Sequence, residues 1–174
     1  MWVFGYGSLM WDPGFDPAEQ QTARLVGWHR SFCMASIHYR GTPEAPGLVL
    51  ALDRRAGAFC AGVAFRVADQ RAEQVMAYLQ GRELVSDAYL ERLLPVDLAD
   101  GRQVMAVTYV IDHAHAQYRA GLTPDQQAAT IARARGLTGS NRDYLTNTVT
   151  HLQTLGLEDA DLIDIARRVA QTRP

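Results

Sequence analysis

The chain has 174 residues, of which 48% are hydrophobic and 21% charged, and its net charge is −2. This is the profile of an ordinary globular protein with enough chain for one domain, residues 1–174, and a full core. It lacks the basic block that nucleic acid or an anionic membrane surface would call for, an apolar run of membrane-spanning length and a basic-then-apolar leader, so a cytoplasmic location is expected.

The most informative segment comes first. Trp2, Val3, Phe4 and Tyr6 predict a short buried strand. Gly5 inside it points to a bulge or a close backbone approach. Gly7-Ser8 breaks the strand into a turn. Glycines there would permit positive φ and leave room for a ligand beside the backbone. The backbone N–H groups of Gly5, Tyr6, Gly7, Ser8 and Leu9 would then converge on an anion or a polarised carbonyl. No G-x-G-x-x-G and no lysine follow, so this is not a phosphate loop. A plain strand and turn is the competing reading.

Trp11 to Pro17 is rich in Pro, Gly and Asp and reads as turns, with its aromatic residues packed onto the body of the protein. Ala23 to Tyr39 reads as one or two strands, with Leu25, Val26, Trp28, Phe32, Met34 and Ile37 as core candidates and Gly27 as a possible bulge. After a loop at 40–47, strands are expected at Leu48–Leu52 and Phe59–Val67, separated by a turn at Asp53–Gly57. The two cysteines, Cys33 and Cys60, lie in these apolar runs as small buried hydrophobes. They are too few for a disulfide framework or a zinc site.

The period then changes. Asp69 to Glu83 reads as a helix, with Asp69 as N-cap and Ala72, Val75, Met76 and Leu79 on one face. Strands at Tyr89–Leu98 and Val104–Ile111 flank the hairpin signal Asp100-Gly101. The remainder is helical. Thr123-Pro124-Asp125-Gln126 is a capping box opening a helix that runs to Gly136. Ser140 or Asn141 caps a second helix with the stripe Leu145, Thr148, Val149, Leu152 and Leu155, closed by Gly156. Glu158-Asp159 start a third, with Leu162, Ile165, Ala166 and Val169 inward and Arg167-Arg168 near its end. The whole reads as α+β.

Glu83 stands out. It lies four residues after Leu79 and seven after Met76, so it continues the apolar face of its helix. Burying a carboxylate is costly and raises its pKa, as does a position near a helix C-terminus. A glutamate tuned in this way suits general acid/base work near neutral pH. The alternative is a helix ending near Gly81, with Glu83 in solvent or paired with Arg82 or a nearby arginine. Glu73 lies off the stripe. His113-Ala114-His115 has no partner at metal-ligand spacing and reads as a polar loop. Ser8 lacks the nucleophile-elbow pattern. Tyr109, Tyr118 and Tyr144 read as packed aromatics.

Taken together, these stretches resemble the ChaC-type γ-glutamylcyclotransferases. The resemblance rests on Val3-Phe4-Gly5-Tyr6-Gly7-Ser8-Leu9, Gly27-Trp28-His29-Arg30, His38-Tyr39-Arg40-Gly41-Thr42-Pro43, Pro46-Gly47, Gly62-Val63-Ala64-Phe65-Arg66, Tyr78-Leu79 with Arg82-Glu83, and Gly139-Ser140-Asn141-Arg142-Asp143-Tyr144-Leu145. It spans nearly the whole chain in order. After the glutamate, Leu84-Val85-Ser86-Asp87-Ala88-Tyr89 keeps a tyrosine but lacks the family's glycine pair. The resemblance implies a mixed β-barrel flanked by helices. It implies conversion of a γ-glutamyl peptide, most often glutathione, to 5-oxoproline, with Glu83 as general acid/base, Val3 to Leu9 as substrate loop, and no metal or organic cofactor. Arg40 and Tyr144 are further substrate contacts expected on this basis. Other γ-glutamyl amines or amino acids as substrate, and a binding module without turnover, are the alternatives.

Overall fold

β-Branched and aromatic residues at the N-terminus build strand β1 (Trp2–Gly5), in which Val3 and Phe4 are fully buried. A 3₁₀ turn at Ser8–Met10 follows. The computed structural model describes residues 1–172. They cluster into two units: Met1–Arg30 with Leu52–His115, and Ser31–Ala51 with the residues from Ala116 onward.

The first unit holds a mixed barrel. Its strands are β1, β2 (Glu19–Ser36), β3 (Gly47–Arg66), β4 (Tyr89–Leu98) and β5 (Gln103–Ile111), with β2 and β3 continuing into the second unit. They close in the order β1-β3-β2-β4-β5, and β3 also pairs with β5. β1 runs antiparallel to β3, with Gly5 opposite Val63, and parallel to β5, with Val3 opposite Val107. The β4–β5 hairpin turns at Gly101, whose φ of +90° favours glycine and whose N–H donates to the Leu98 carbonyl at 3.0 Å. Helix α1 (Ala72–Glu83) buries Val75 and Leu79.

Several expected details change. Residues 47–66 form one strand without a turn at Asp53–Gly57. The ladder with β2 satisfies the backbone there, so the polar composition of Arg54-Arg55 reflects exposure rather than chain reversal. β2 starts at Glu19 and ends at Ser36. Along it Leu25, Phe32 and Met34 are buried as expected, but Val26 is exposed. Asp69 does not cap α1. It begins a 3₁₀ turn, Arg71 occupies the N-cap position, and the Asp69 carboxylate pairs with the N-terminal ammonium at 3.4 Å. The 11–17 segment does pack down: Phe15 is buried and meets Phe65 edge-on at 5.9 Å.

The second unit is mainly helical: α2 (Pro124–Arg133), a two-stranded ribbon of β6 (Arg135–Gly136) and β7 (Gly139–Ser140), α3 (Asn141–Thr154) and α4 (Ala160–Gln171). α2 stops three residues before the expected Gly136 because residues 135–136 pair with 139–140 instead. The Thr123 capping box and the Ser140 and Asp159 caps are all made. Buried Ile131, Leu145, Leu152, Leu162, Ile165 and Val169 form the helix core. Arg142 ties the three helices together through the carbonyls of Ala132, Val169 and Thr172. Asn141 is fully buried and exchanges two hydrogen bonds with Leu48, donating to its carbonyl at 2.7 Å and accepting from its N–H at 2.6 Å. The architecture is thus α+β: a five-stranded mixed barrel and four helices.

Candidate active site

Helical spacing sets Val75, Leu79 and Glu83 on one line of α1, four residues apart. Val75 and Leu79 are 3% and 0% exposed, and the Glu83 side chain is 19% exposed. The helix runs through Gly81 and ends at Glu83, so the glutamate keeps the inward face and does not turn out into water. Burial pushes its carboxyl above the ordinary carboxylate range, and the neighbouring Arg82 cation opposes part of that rise. Glu73, off this line, is exposed.

The glycine loop belongs to the same unit. Gly5 is needed for close approach: a Cβ there would stand 3.0 Å from Leu9 Cβ and 3.3 Å from the Phe65 ring. A Cβ at Gly62, on the neighbouring strand, would run into the Gly5 carbonyl. The expected positive φ is not found in this loop. Gly7 sits at φ −129° and has open space where a side chain would be. Gly5 acts through its missing Cβ, Gly7 leaves open space beside the backbone, and neither adopts a left-handed backbone. After them, Ser8–Met10 winds into the 3₁₀ turn, and the first N–H groups of such a turn have no carbonyl partner within it.

Two arginines hold this loop. Arg30 is 4% exposed; its Nε donates to the Tyr6 carbonyl at 2.5 Å and its Nη2 to the Ala61 carbonyl at 2.6 Å. Arg82 is the second. Its Nη2 donates to Ser8 Oγ at 2.9 Å, its Nη1 to the Asp12 carbonyl at 2.8 Å and to the Tyr78 hydroxyl at 2.9 Å, and its Nε lies 3.2 Å from Glu83 Oε1. A single guanidinium therefore joins the loop to the glutamate. Tyr109, only 1% exposed, donates to Glu91 at 3.2 Å. Burial, the Glu91 charge and, to a smaller degree, the Glu83 charge keep this phenol protonated.

Residues 84–88, which close this side of α1, contain Asp87 at φ +53°, the one non-glycine residue with positive φ among the described residues. Aspartate tolerates this conformation better than most side chains. Ala88 beyond it is fully buried.

Val3 to Leu9 and Glu83 thus come together in the first unit, with Arg82 as the link. Arg40 and Tyr144 belong to the second unit, where they meet each other. The Arg40 guanidinium stacks 5.3 Å from the Tyr144 ring and donates to the Thr138 carbonyl at 2.7 Å, and Tyr144 meets Phe32 edge-on. His113 pairs with Asp53 at 2.7 Å. Among the described residues, no three His, Cys, Asp or Glu side chains converge as a cation site would require. Sequence reasoning passed over Arg30 as a functional residue. The available signal was an arginine close before the apolar run Phe32-Cys33-Met34-Ala35 of β2.

A family model described as ChaC-like protein matches residues 1–172. The glutathione-specific gamma-glutamylcyclotransferase of Escherichia coli (strain K12) is 39% identical over 165 residues, covering 95% of this chain and 71% of its own. That of Schizosaccharomyces pombe is 32% identical over 179 residues, covering 93% of this chain and 87% of its own. The crystal structure of a yeast γ-glutamyl cyclotransferase specific to glutathione superposes with a TM-score of 0.88 at 23% identity, over 99% of this chain and 96% of that one, which supports the fold. Matched from residue 1 to residue 172, the chain belongs to the ChaC-like family.

Proposed function

We propose that this protein is a γ-glutamylcyclotransferase that converts glutathione to 5-oxoproline and Cys-Gly, with Glu83 as the general acid/base. The observation that carries the reading is a largely buried Glu83 carboxyl tied through Arg82 to Ser8 of the glycine loop. Relatives named for this activity at 39% and 32% identity support it.

The chemistry is an internal aminolysis. The α-amine and the γ-carbonyl of the glutamyl group belong to one molecule, so holding it in a five-membered arrangement removes the entropy cost of bringing them together. Such positioning lowers barriers by about 7–11 kcal/mol. The α-ammonium must first lose a proton, and Glu83 takes it. The nitrogen attacks the γ-carbonyl carbon, the carbon–nitrogen bond to the cysteinyl residue breaks, and Glu83 returns the proton to that leaving nitrogen. The released amine ends with the two protons shed by the ammonium as it becomes a lactam N–H, so the step is redox-neutral and consumes no water. Backbone N–H groups of Gly5 to Leu9 hold the developing oxyanion or the α-carboxylate, a role worth about 3–4 kcal/mol per donor. Burial serves the base: a carboxyl raised above its ordinary range takes a proton more readily at neutral pH. No cofactor and no macromolecular partner are proposed. The proposed location is the cytoplasm, and no helix among the described residues is long and apolar enough to cross a membrane.

Mass spectrometry of products formed from glutathione, γ-glutamyl-alanine and a γ-glutamyl amine tests this reading. Release of 5-oxoproline from glutathione in preference to the others is expected. Intact glutathione after prolonged incubation would sink it.

A further inference from the structure

The guanidinium of Arg82 makes three hydrogen bonds and one ion pair, to Ser8, Asp12, Tyr78 and Glu83. Ser8 lies 74 residues away in sequence and Asp12 lies 70 away, yet both are bonded to it. Tyr78, one turn back on α1, donates nothing to Arg82 but accepts from it, and its ring lies so close over Gly14 that a Cβ there would collide with it. The segment from Ser8 to Gly14 is thus latched to the last turn of α1. The same guanidinium holds the Glu83 carboxylate with its remaining nitrogen. Adjacent residues on a helix do not normally face each other, yet these two meet, at the end of α1, where Glu83 is the last helical residue. Arginine is suited to this place because its planar fork offers five donors on three nitrogens. A lysine ammonium carries the charge on one atom and cannot span four acceptors.

We propose that Arg82 is a positioning residue that sets the Glu83 carboxylate and the Ser8 loop in one fixed geometry, so that base and substrate loop stay in register. The role rests on the reading of Glu83 as the base. Because Arg82 donates to Ser8 Oγ, the Ser8 hydroxyl proton is left to point elsewhere, which orients Ser8 as a donor. Burial and the Arg82 cation from α1 act on the Glu83 carboxyl, and the Glu83 charge in turn helps keep protonated the Tyr109 phenol of β5, which is bonded to Glu91. Of these only Arg82 favours the ionised carboxylate through its charge.

The test compares wild type, Arg82→Met and Arg82→Lys in glutathione turnover across pH, with melting temperatures recorded alongside. Misplacing a reacting group by about 1 Å costs on the order of 10²-fold, so a loss of that order in kcat is expected for Arg82→Met. Removing the cation makes Glu83 harder to ionise, so the acid limb of kcat/KM should move to higher pH in Arg82→Met. In Arg82→Lys the limb should stay near its wild-type position while only part of kcat returns. A folded Arg82→Met with wild-type kcat and an unmoved acid limb overturns the proposal. So does full recovery by Arg82→Lys, which would show that charge alone suffices. If Arg82→Met does not fold, the Lys variant decides by itself: partial kcat with a wild-type limb supports the role, and full kcat overturns it. Absence of wild-type turnover overturns the functional reading and this role with it. Wild-type turnover with unaffected variants overturns the Arg82 role alone.

Discussion

Glu83 is an ionisable group at the point where an apolar helix face ends. Its environment makes two predictions. Glu83→Gln keeps the shape and removes the proton acceptor, so turnover of glutathione should fall by about 10²–10⁴-fold with the circular dichroism spectrum unchanged. A variant retaining more than about a tenth of wild-type kcat would remove Glu83 from the role of base. The second concerns stability. Burial raises the folded-state pKa of Glu83 above that of the unfolded chain, so folding favours the protonated form. That contribution is fully present below the ordinary carboxylate pKa and is lost as pH rises through the folded-state value. Glutamine has no such loss. The melting temperature of Glu83→Gln relative to wild type should therefore increase between about pH 4 and about pH 7. A difference that stays constant or shrinks over that interval would mean that burial does not penalise this carboxylate.

The elements owe their positions to caps and crowded backbone as much as to apolar faces. Ser140 caps α3 by accepting from the Asp143 N–H at 3.0 Å, and the first residue of that helix is Asn141, whose side chain completes the backbone bonding of Leu48. Ser140→Ala removes the cap and should cost about 1 kcal/mol in urea unfolding. A loss below a few tenths would show that water replaces the hydroxyl without penalty. The glycine pair at β1 and β3 works differently. A Cβ at Gly62 would collide with the Gly5 carbonyl, and one at Gly5 would crowd Leu9 and Phe65, so these two glycines permit the close approach from which the glycine loop leaves the barrel.

For the whole molecule, a bound substrate and its chemistry are separable. An inactive Glu83→Gln variant does not consume glutathione, so binding can be read as thermal stabilisation. At a ligand concentration of 100 Kd the native state gains about 2.7 kcal/mol, and the melting temperature should rise with glutathione concentration while γ-glutamyl-free peptides leave it unchanged. An unmoved melting temperature at high glutathione would mean that the chain does not hold this substrate, whatever its family.

Much of this was legible from local pattern. The strand at Trp2–Gly5, the β4–β5 hairpin, the three C-terminal helices with their caps, and the α+β class follow from propensity, capping and hydrophobic period, all of which act over a few residues. The inward position of Glu83 follows from the same period, because α1 is regular to its last residue. The unbroken course of β3 through Asp53–Gly57 was hidden, since strand pairing supplies hydrogen bonds that a local reading of polar residues and a glycine does not see. Hidden for the same reason were the bonds of Arg30 to Tyr6 and of Arg82 to Ser8, which cross 24 and 74 residues. An arginine looks alike in a sequence whether it is solvated or clamped. Its partners are chosen by chain reversal and packing, and those are settled only when the distant segments meet.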